Sequence, residues 1–436
     1  MSGMTGGEGS GRRVSRRGFL GTAAAAGLTA VAGCASFGDS LTARSSSRST
    51  SAPATTTTTT TEPPPPPPPP SPPPVRLIGD GSMSDTGPQP HQPVPERLAP
   101  GQAPPQFVVF SWDGSANLET GLFPRFRTLA AQHGAAMTFF LSGIYALPGT
   151  QRMQYSPPQH PVGASDIGYL STEQVLATMN EVGAAWLDGH EIGTHFCGHF
   201  CGTNGVGRWS SADWASEIEQ AKQFVATWKT NTGTAGDPTV AALPFDYDVE
   251  LIGGRTPCLE GQEALLPTVA ALGWKYDASS PGGQQIWPGK RLGLWDFPLQ
   301  SVPFANPRPG KGPTALSMDY NFMYKQSDGN TGGDPGQFAT WRAQARDAYL
   351  AGFQRAYTTN RAPLFIGNHF EQWNGGIYMD AVADAFEAIA GQPDVRLVSF
   401  RQLVAWLDVQ DPAVLDRLRT LPVGGPPPGG WPAFLA

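Results

Sequence analysis

Charge is scarce in this chain. Only 15% of its 436 residues are charged, against about 25% in an average soluble domain. Lys and Arg together number 29 against 36 Asp and Glu, a net charge of −7. No basic stripe can form on that balance, which excludes nucleic acid as a partner. Four cysteines are too few for a disulfide-built scaffold. The N-terminal apolar stretch, the one candidate for a membrane span, falls short of the roughly 20 residues that a crossing needs. Glycine (53) and proline (44) are plentiful instead, and much of the proline is clustered. Twelve Trp and 22 Phe can fill a sizeable core and leave some rings for a sugar-facing surface.

Residues 1–34 read as a targeting segment, outside the fold. Ser15-Arg16-Arg17-Gly18-Phe19-Leu20 has the twin-arginine pattern and precedes a weakly apolar Ala/Gly/Leu stretch. Such a signal is a receptor-read address, here for export of a domain folded before it crosses the membrane. Val31-Ala32-Gly33-Cys34 resembles a bacterial lipobox, with Cys34 the acylated residue, although an ordinary signal peptide with an incidental Cys fits the same letters. The expected location is the outer face of the bacterial cytoplasmic membrane as a lipoprotein, or otherwise secretion. Residues 35–106 show no apolar periodicity and carry a threonine run (55–61) and a proline run (63–70). They are expected to be a disordered Thr/Pro-rich stalk. The proline run alone extends about 25 Å as polyproline II.

Folded structure is predicted over 107–410. Short apolar runs at 107–111, 136–141, 295–299, 364–366 and 395–398 read as strands. Helical spacing is seen over 123–133, 172–187, 211–228, 262–272, 337–357, 378–390 and 401–407. Strands alternating with helices predict an α/β domain with a mainly parallel sheet, open or closed into a barrel. Residues 411–436, rich in Pro and Gly, are expected to be a loose tail.

In such a domain the chemistry belongs just past the C-terminal ends of strands. Asp113 follows the first strand in Phe110-Ser111-Trp112-Asp113-Gly114, His195 and His199 bracket Phe196-Cys197-Gly198, and His369 follows Ile366-Gly367-Asn368. Histidines at i and i+4 on one helical turn point the same way and can share a metal. One added carboxylate gives a two-His, one-carboxylate face suited to catalytic Zn²⁺, or alternatively to non-heme Fe(II).

Taken in order, Asp-Gly after the first strand, Thr138-Phe139-Phe140, Gly189-His190-Glu191-Ile192 with its His-x-x-x-His, Arg255-Thr256-Pro257, Tyr276-Asp277-Ala278-Ser279 and the late His369 resemble the polysaccharide deacetylase family. This is the NodB-homology or carbohydrate esterase family 4 domain, and the flavour is closest to its chitin-deacetylase-like branch. The resemblance covers 107–408. It implies a distorted (β/α) barrel, one divalent metal (usually zinc), and removal of N-acetyl groups from a cell-envelope or extracellular polysaccharide. By position it implies that Asp113, His195 and His199 bind the metal and that His369 is the general acid. Asp277 would orient that imidazole, and Arg255 would pair with the catalytic base.

One departure matters. The family's first motif carries two adjacent aspartates, the first acting as base, and Trp112 stands in that place. An indole N–H only donates. Three readings stay open: a substitute carboxylate (Asp246, Asp248 or Glu371), hydrolysis without a base, or a non-catalytic domain that keeps its metal and binds glycan. Trp112 and Trp373 are weak candidates for sugar contact, and Trp209, Trp287 and Trp295 weaker ones. In an oxidising compartment, Cys258 is expected to pair with Cys197 or Cys201, with Cys201 the preferred partner. A tethered monomer is the simplest assembly.

Overall fold

A computed structural model describes residues 77–436, apart from 85–86 and 306–307. The twin-arginine motif with Arg16 and Arg17, the lipobox Cys34 and the threonine and proline runs lie outside the described residues.

The central parallel strands are β1 (Gln106–Asp113), β2 (Thr138–Leu141), β3 (Glu191–Thr194), β4 (Tyr276–Asp277), β5 (Leu294–Asp296), β6 (Leu364–His369) and β7 (Val395–Leu397). Strand β1 pairs in parallel with β6, β2 and β7, and β2 with β3. Pairing then runs on through irregular backbone. Arg255 N–H donates to Thr194 C=O at 3.0 Å, and Ala278 N–H to Gly254 C=O at 3.0 Å. Strand β4 lies parallel to β5. Ser317 N–H bonds Gln300 C=O and Gly367 N–H bonds Ser317 C=O, both at 2.9 Å, which returns the circuit to β6. The sheet thus closes on itself as a distorted barrel.

Side-chain alternation along the strands sorts two cores. Phe107 and Val109 point into the barrel with Phe140, Tyr276, Phe297, Phe365 and Phe400. Val108, Phe110 and Trp112 point outward under the helices. Those helices are α1 (Leu122–Gln132), α2 (Thr172–Leu187), α3 (Ser211–Ala226), α4 (Gln262–Ala271), α5 (Asp319–Ser327), α6 (Phe338–Tyr357) and α7 (Ile377–Ala390), while α8 (Phe400–Val409) and α9 (Pro412–Arg419) pack on the cluster of Phe107 and Val109. Capping boxes start α2, α3 and α8: Ser171, Ser210 and Ser399 each cap a backbone N–H that Gln174, Asp213 and Gln402 reciprocate.

Two boundaries differ from the sequence reading. The expected disordered segment 35–106 is placed from Leu77 onward. A short hairpin, Leu77–Ile78 with Ser82–Met83, docks where Asp80 and Gly81 donate to Ala226 C=O. Gly79 has φ +61°, and a Cβ there would collide with Ala226 C=O, so glycine alone fits. Gln89 Nε2 then donates to Trp186 C=O and Gln92 Nε2 to Gly189 C=O. The expected loose tail 411–436 is also folded. It carries α9, buries Leu415, Leu418, Leu421 and Leu435, and Leu435 C=O accepts from Gly101 N–H. Proline and glycine set the composition of both segments, but their few apolar side chains find the core.

Candidate active site

The inward-facing rows of three strands continue past the apolar core to the barrel mouth. On β1 the row Phe107, Val109 leads to Ser111 and Asp113; on β6 Phe365 leads to Gly367 and His369; on β3 Glu191 and Gly193 lead to His195. Period-two geometry therefore carries Asp113, His195 and His369 to one place from separate strands.

Arg255 joins them from below, wholly buried over the Phe140 ring at 4.9 Å. Its Nη1 donates to Asp113 Oδ1 at 2.8 Å and to Ser111 Oγ at 2.9 Å, and its Nε to Ala278 C=O at 3.0 Å. Gly367 makes the room, since a Cβ there would stand 2.7 Å from Met318 Cε and 3.1 Å from Arg255 Nη1. Burial alone would raise the Asp113 pKa, but Arg255, His195 and His369 outweigh it and hold the carboxyl below its ordinary value. An ionised, weakly basic carboxylate is a ligand rather than a proton acceptor.

His195 Nδ1 lies 2.8 Å from Arg255 C=O, which assigns the proton to Nδ1 and leaves Nε2 as the lone-pair nitrogen. That Nε2 is buried and has no partner. The His195 and His199 rings stand 4.9 Å apart. Burial is the main cause that lowers both pKa values, and for His199 the neighbouring His195 and His369 help to bring it to about 3. The expectation that both histidines share a helical turn is corrected. Residues 195–200 form a loop in which Phe196 (φ +58°) and His199 (φ +56°) adopt left-handed backbone, and this folding brings the rings together. The loop is held by Glu217, whose carboxylate accepts from Cys197 N–H at 2.9 Å and from Tyr155 Oη. The structure joins Cys201 to Cys258, with Cα atoms 5.9 Å apart. Cys197 is a buried free thiol.

On the opposite side, His369 Nδ1 lies 2.8 Å from Asp319 Oδ1, while Asp319 Oδ2 accepts the His369 N–H at 2.8 Å. Burial disfavours the imidazolium, yet Asp319, Asp113 and Glu371 outweigh it and push the pKa up to about 9. The orienting carboxylate is therefore Asp319, not Asp277. The Asp277 Oδ1 accepts from Ser279 Oγ at 2.6 Å, and burial raises its pKa to about 6. Asp319 opens α5, a polar stretch with no apolar period to mark it; its place before a late strand-end histidine was the only signal.

Trp112 is corrected as a sugar contact. It is 0% exposed, stacks on Phe370 at 4.7 Å and packs against Phe126 at 4.1 Å on the outward face of β1. Strand alternation turns it away from the mouth. Trp209, Trp287 and Trp295 are buried as well. Trp373 is partly exposed, with its ring 5.4 Å from His369 and edge-on to Tyr320 at 5.9 Å. Of the substitute carboxylates, Asp248 pairs with Lys222 and Asp246 caps the helical turn Tyr247–Glu250. Glu371 alone acts electrostatically on His369 and Tyr145.

No family model and no curated protein matches the chain. Among solved structures, it is similar to a protein from Mycobacterium smegmatis assigned as a polysaccharide deacetylase, at 14% identity and TM-score 0.43, over 71% of this chain and 93% of that one. A family 4 carbohydrate esterase from Streptococcus mutans aligns at 13% identity and TM-score 0.36, over 67% and 86% of the two chains. The chitin deacetylase of the fungal pathogen Colletotrichum lindemuthianum aligns at 12% identity and TM-score 0.37, over 72% and 95%. Scores this low decide nothing about activity, which rests on the residues themselves.

Proposed function

We propose that this domain is a metal-dependent hydrolase of the polysaccharide deacetylase type, which removes N-acetyl groups from a cell-envelope or extracellular glycan. The observation that carries this reading is the buried Nε2 of His195. It has no partner, its Nδ1 is tied to Arg255 C=O, and it shares the mouth with an ionised carboxylate and a second neutral imidazole. A metal-ligating histidine is usually tied through its other nitrogen in this way. The donor set of Asp113, His195 and His199 suits a divalent cation, Zn²⁺ by ligand type. Their donor atoms do not all lie within 4.8 Å of one another, so binding would draw the three together. Once bound, such a cation polarises an acetamide carbonyl and promotes attack by water.

The chain supplies the rest. Arg255 keeps Asp113 ionised. His369, charged below about pH 9, gives its proton to the departing amine, and Asp319 fixes its ring and favours its charged form. Glu371, which acts electrostatically on His369, is the candidate to take the proton from water in the role that position 112 leaves vacant. Trp373 offers a flat face to a pyranose ring beside His369.

Trp112 also favours a second reading. With a core indole in place of a base, the domain would hold its metal and bind glycan without cleaving it. Incubating the zinc-loaded protein with N-acetyl chito-oligosaccharides and with peptidoglycan, and measuring acetate, separates the two. Release that disappears in His195→Ala supports hydrolysis; co-sedimentation with glycan and no acetate supports binding. From the sequence we infer further that the chain is exported by the twin-arginine route and tethered through Cys34. Loss of membrane association in Cys34→Ser cells tests that. Among the described residues no helix is long and apolar enough to cross a membrane.

A further inference from the structure

Among the described residues, the tight cluster of metal-ligating side chains is not the expected triad. It is His199, Cys201 and Cys258, each offering a donor atom within 4.8 Å of the others. His199 Nδ1 stands 3.6 Å from Cys201 Sγ, and the two sulfurs are joined. While they are joined, no thiolate exists and the cluster cannot hold a cation.

We propose that reduction of the Cys201–Cys258 disulfide opens a second metal site, built from two thiolates and the His199 imidazole, for a borderline or soft divalent cation such as Zn²⁺, Co²⁺ or Cd²⁺. The step balances with an external dithiol. The S–S bond takes up two electrons and two protons to give two thiols, and the dithiol becomes its own disulfide. Cation binding then expels the thiol protons as the sulfurs ligate.

Three features favour it. Two cysteines and one histidine are a ligand set that selects these cations over Mg²⁺ or Ca²⁺. Cys258 is exposed, so a reductant has access. The two loops are pinned without the disulfide, since Gly202 N–H donates to Glu260 Oε2 at 3.2 Å, and Gln262 Nε2, donating to Leu259 C=O at 3.2 Å, steadies the turn after Cys258. The sulfurs therefore stay near one another after the bond is cut. His199 serves both centres, so oxidation releases it to Asp113 and His195 while reduction withdraws it. That competition rests on the hydrolase reading; the thiolate site itself does not.

The test uses Co²⁺ on the full chain, reduced with excess dithiol and desalted without air. Reduced wild type, Cys34→Ser and Cys197→Ser should each show a thiolate-to-cobalt charge-transfer absorption that titrates to one cobalt per chain. Oxidised wild type, Cys201→Ser and Cys258→Ser should lack it, and His199→Ala should weaken apparent affinity at least tenfold. Circular dichroism accompanies every spectrum. The proposal is overturned if reduced wild type shows no such band, whether it keeps its native dichroism or unfolds, or if the band survives in Cys201→Ser. Acetate release is not read, so failure of the hydrolase reading leaves these outcomes untouched.

Discussion

The two sides of the barrel mouth treat histidine in opposite ways. On the β3 side, His195 is buried and His199 half-buried beside it, and desolvation is the main cause that lowers both pKa values, with His199 near pKa 3. On the β6 side, His369 is also enclosed, but Asp319 contacts it twice and its pKa lies near 9. One residue type is thereby divided into a lone-pair donor, where desolvation prevails, and a proton donor, where a close carboxylate outweighs it. Asp113 stands between them, tied to Arg255, and contributes to both.

The largest effect should come from erasing the neutral side. His195→Ala removes the partnerless nitrogen and should abolish both stoichiometric zinc binding and acetate release, as measured by metal analysis and turnover. Asp319→Asn erases the charge contrast. It should lower kcat by roughly 10²–10⁴-fold, the usual worth of positioned proton transfer, and move the alkaline limb of the pH–rate profile to lower pH. Asp277→Asn, by contrast, should leave that limb where it is. Trp112→Ala lies outside the contrast, in the outer core. It should cost about 3–5 kcal/mol of stability on denaturant unfolding, while folded molecules keep their zinc affinity.

The smallest effect is the pH dependence of stability. His199 has a folded pKa below its ordinary 6.5, so the unfolded chain binds more protons and stability falls as pH drops from about 6.5 toward 3. His369 has a folded pKa above 6.5. Its contribution is complete below about pH 6.5 and is lost as pH rises through about 9. Denaturant midpoints across this range should peak between the two slopes for wild type. In Asp319→Asn the alkaline slope should flatten.

Much of this was readable in the letters. Helix α2 runs over Thr172–Leu187, as its spacing predicts, and strands β1 and β6 extend the expected apolar runs to Asp113 and His369. Asp113, His195 and His369 were legible because strand ends can be found from apolar runs. Asp319 was not, because α5 reads Asp-Tyr-Asn-Phe-Met-Tyr-Lys-Gln-Ser with no clean period, and its pairing to His369 spans 50 residues of sequence. The histidine loop was misread because an i, i+4 spacing is equally served by a helix and by left-handed turns. Direction along β1 was the other blind spot. A motif match aligns Trp112 with a catalytic position, whereas pleating sends it to the far face.

The chain on either side of the barrel is tied to itself. Gln410 Oε1 accepts from Leu98 N–H and its Nε2 donates to Glu96 C=O, while Gly101 N–H is held by Leu435 C=O. Any tension applied through the N-terminal arm is therefore shared with the C-terminal clasp and the Ala226 anchor before it reaches β1. The fold has in effect a strain relief outside its sheet, so a pull on the arm need not disturb the geometry of the mouth.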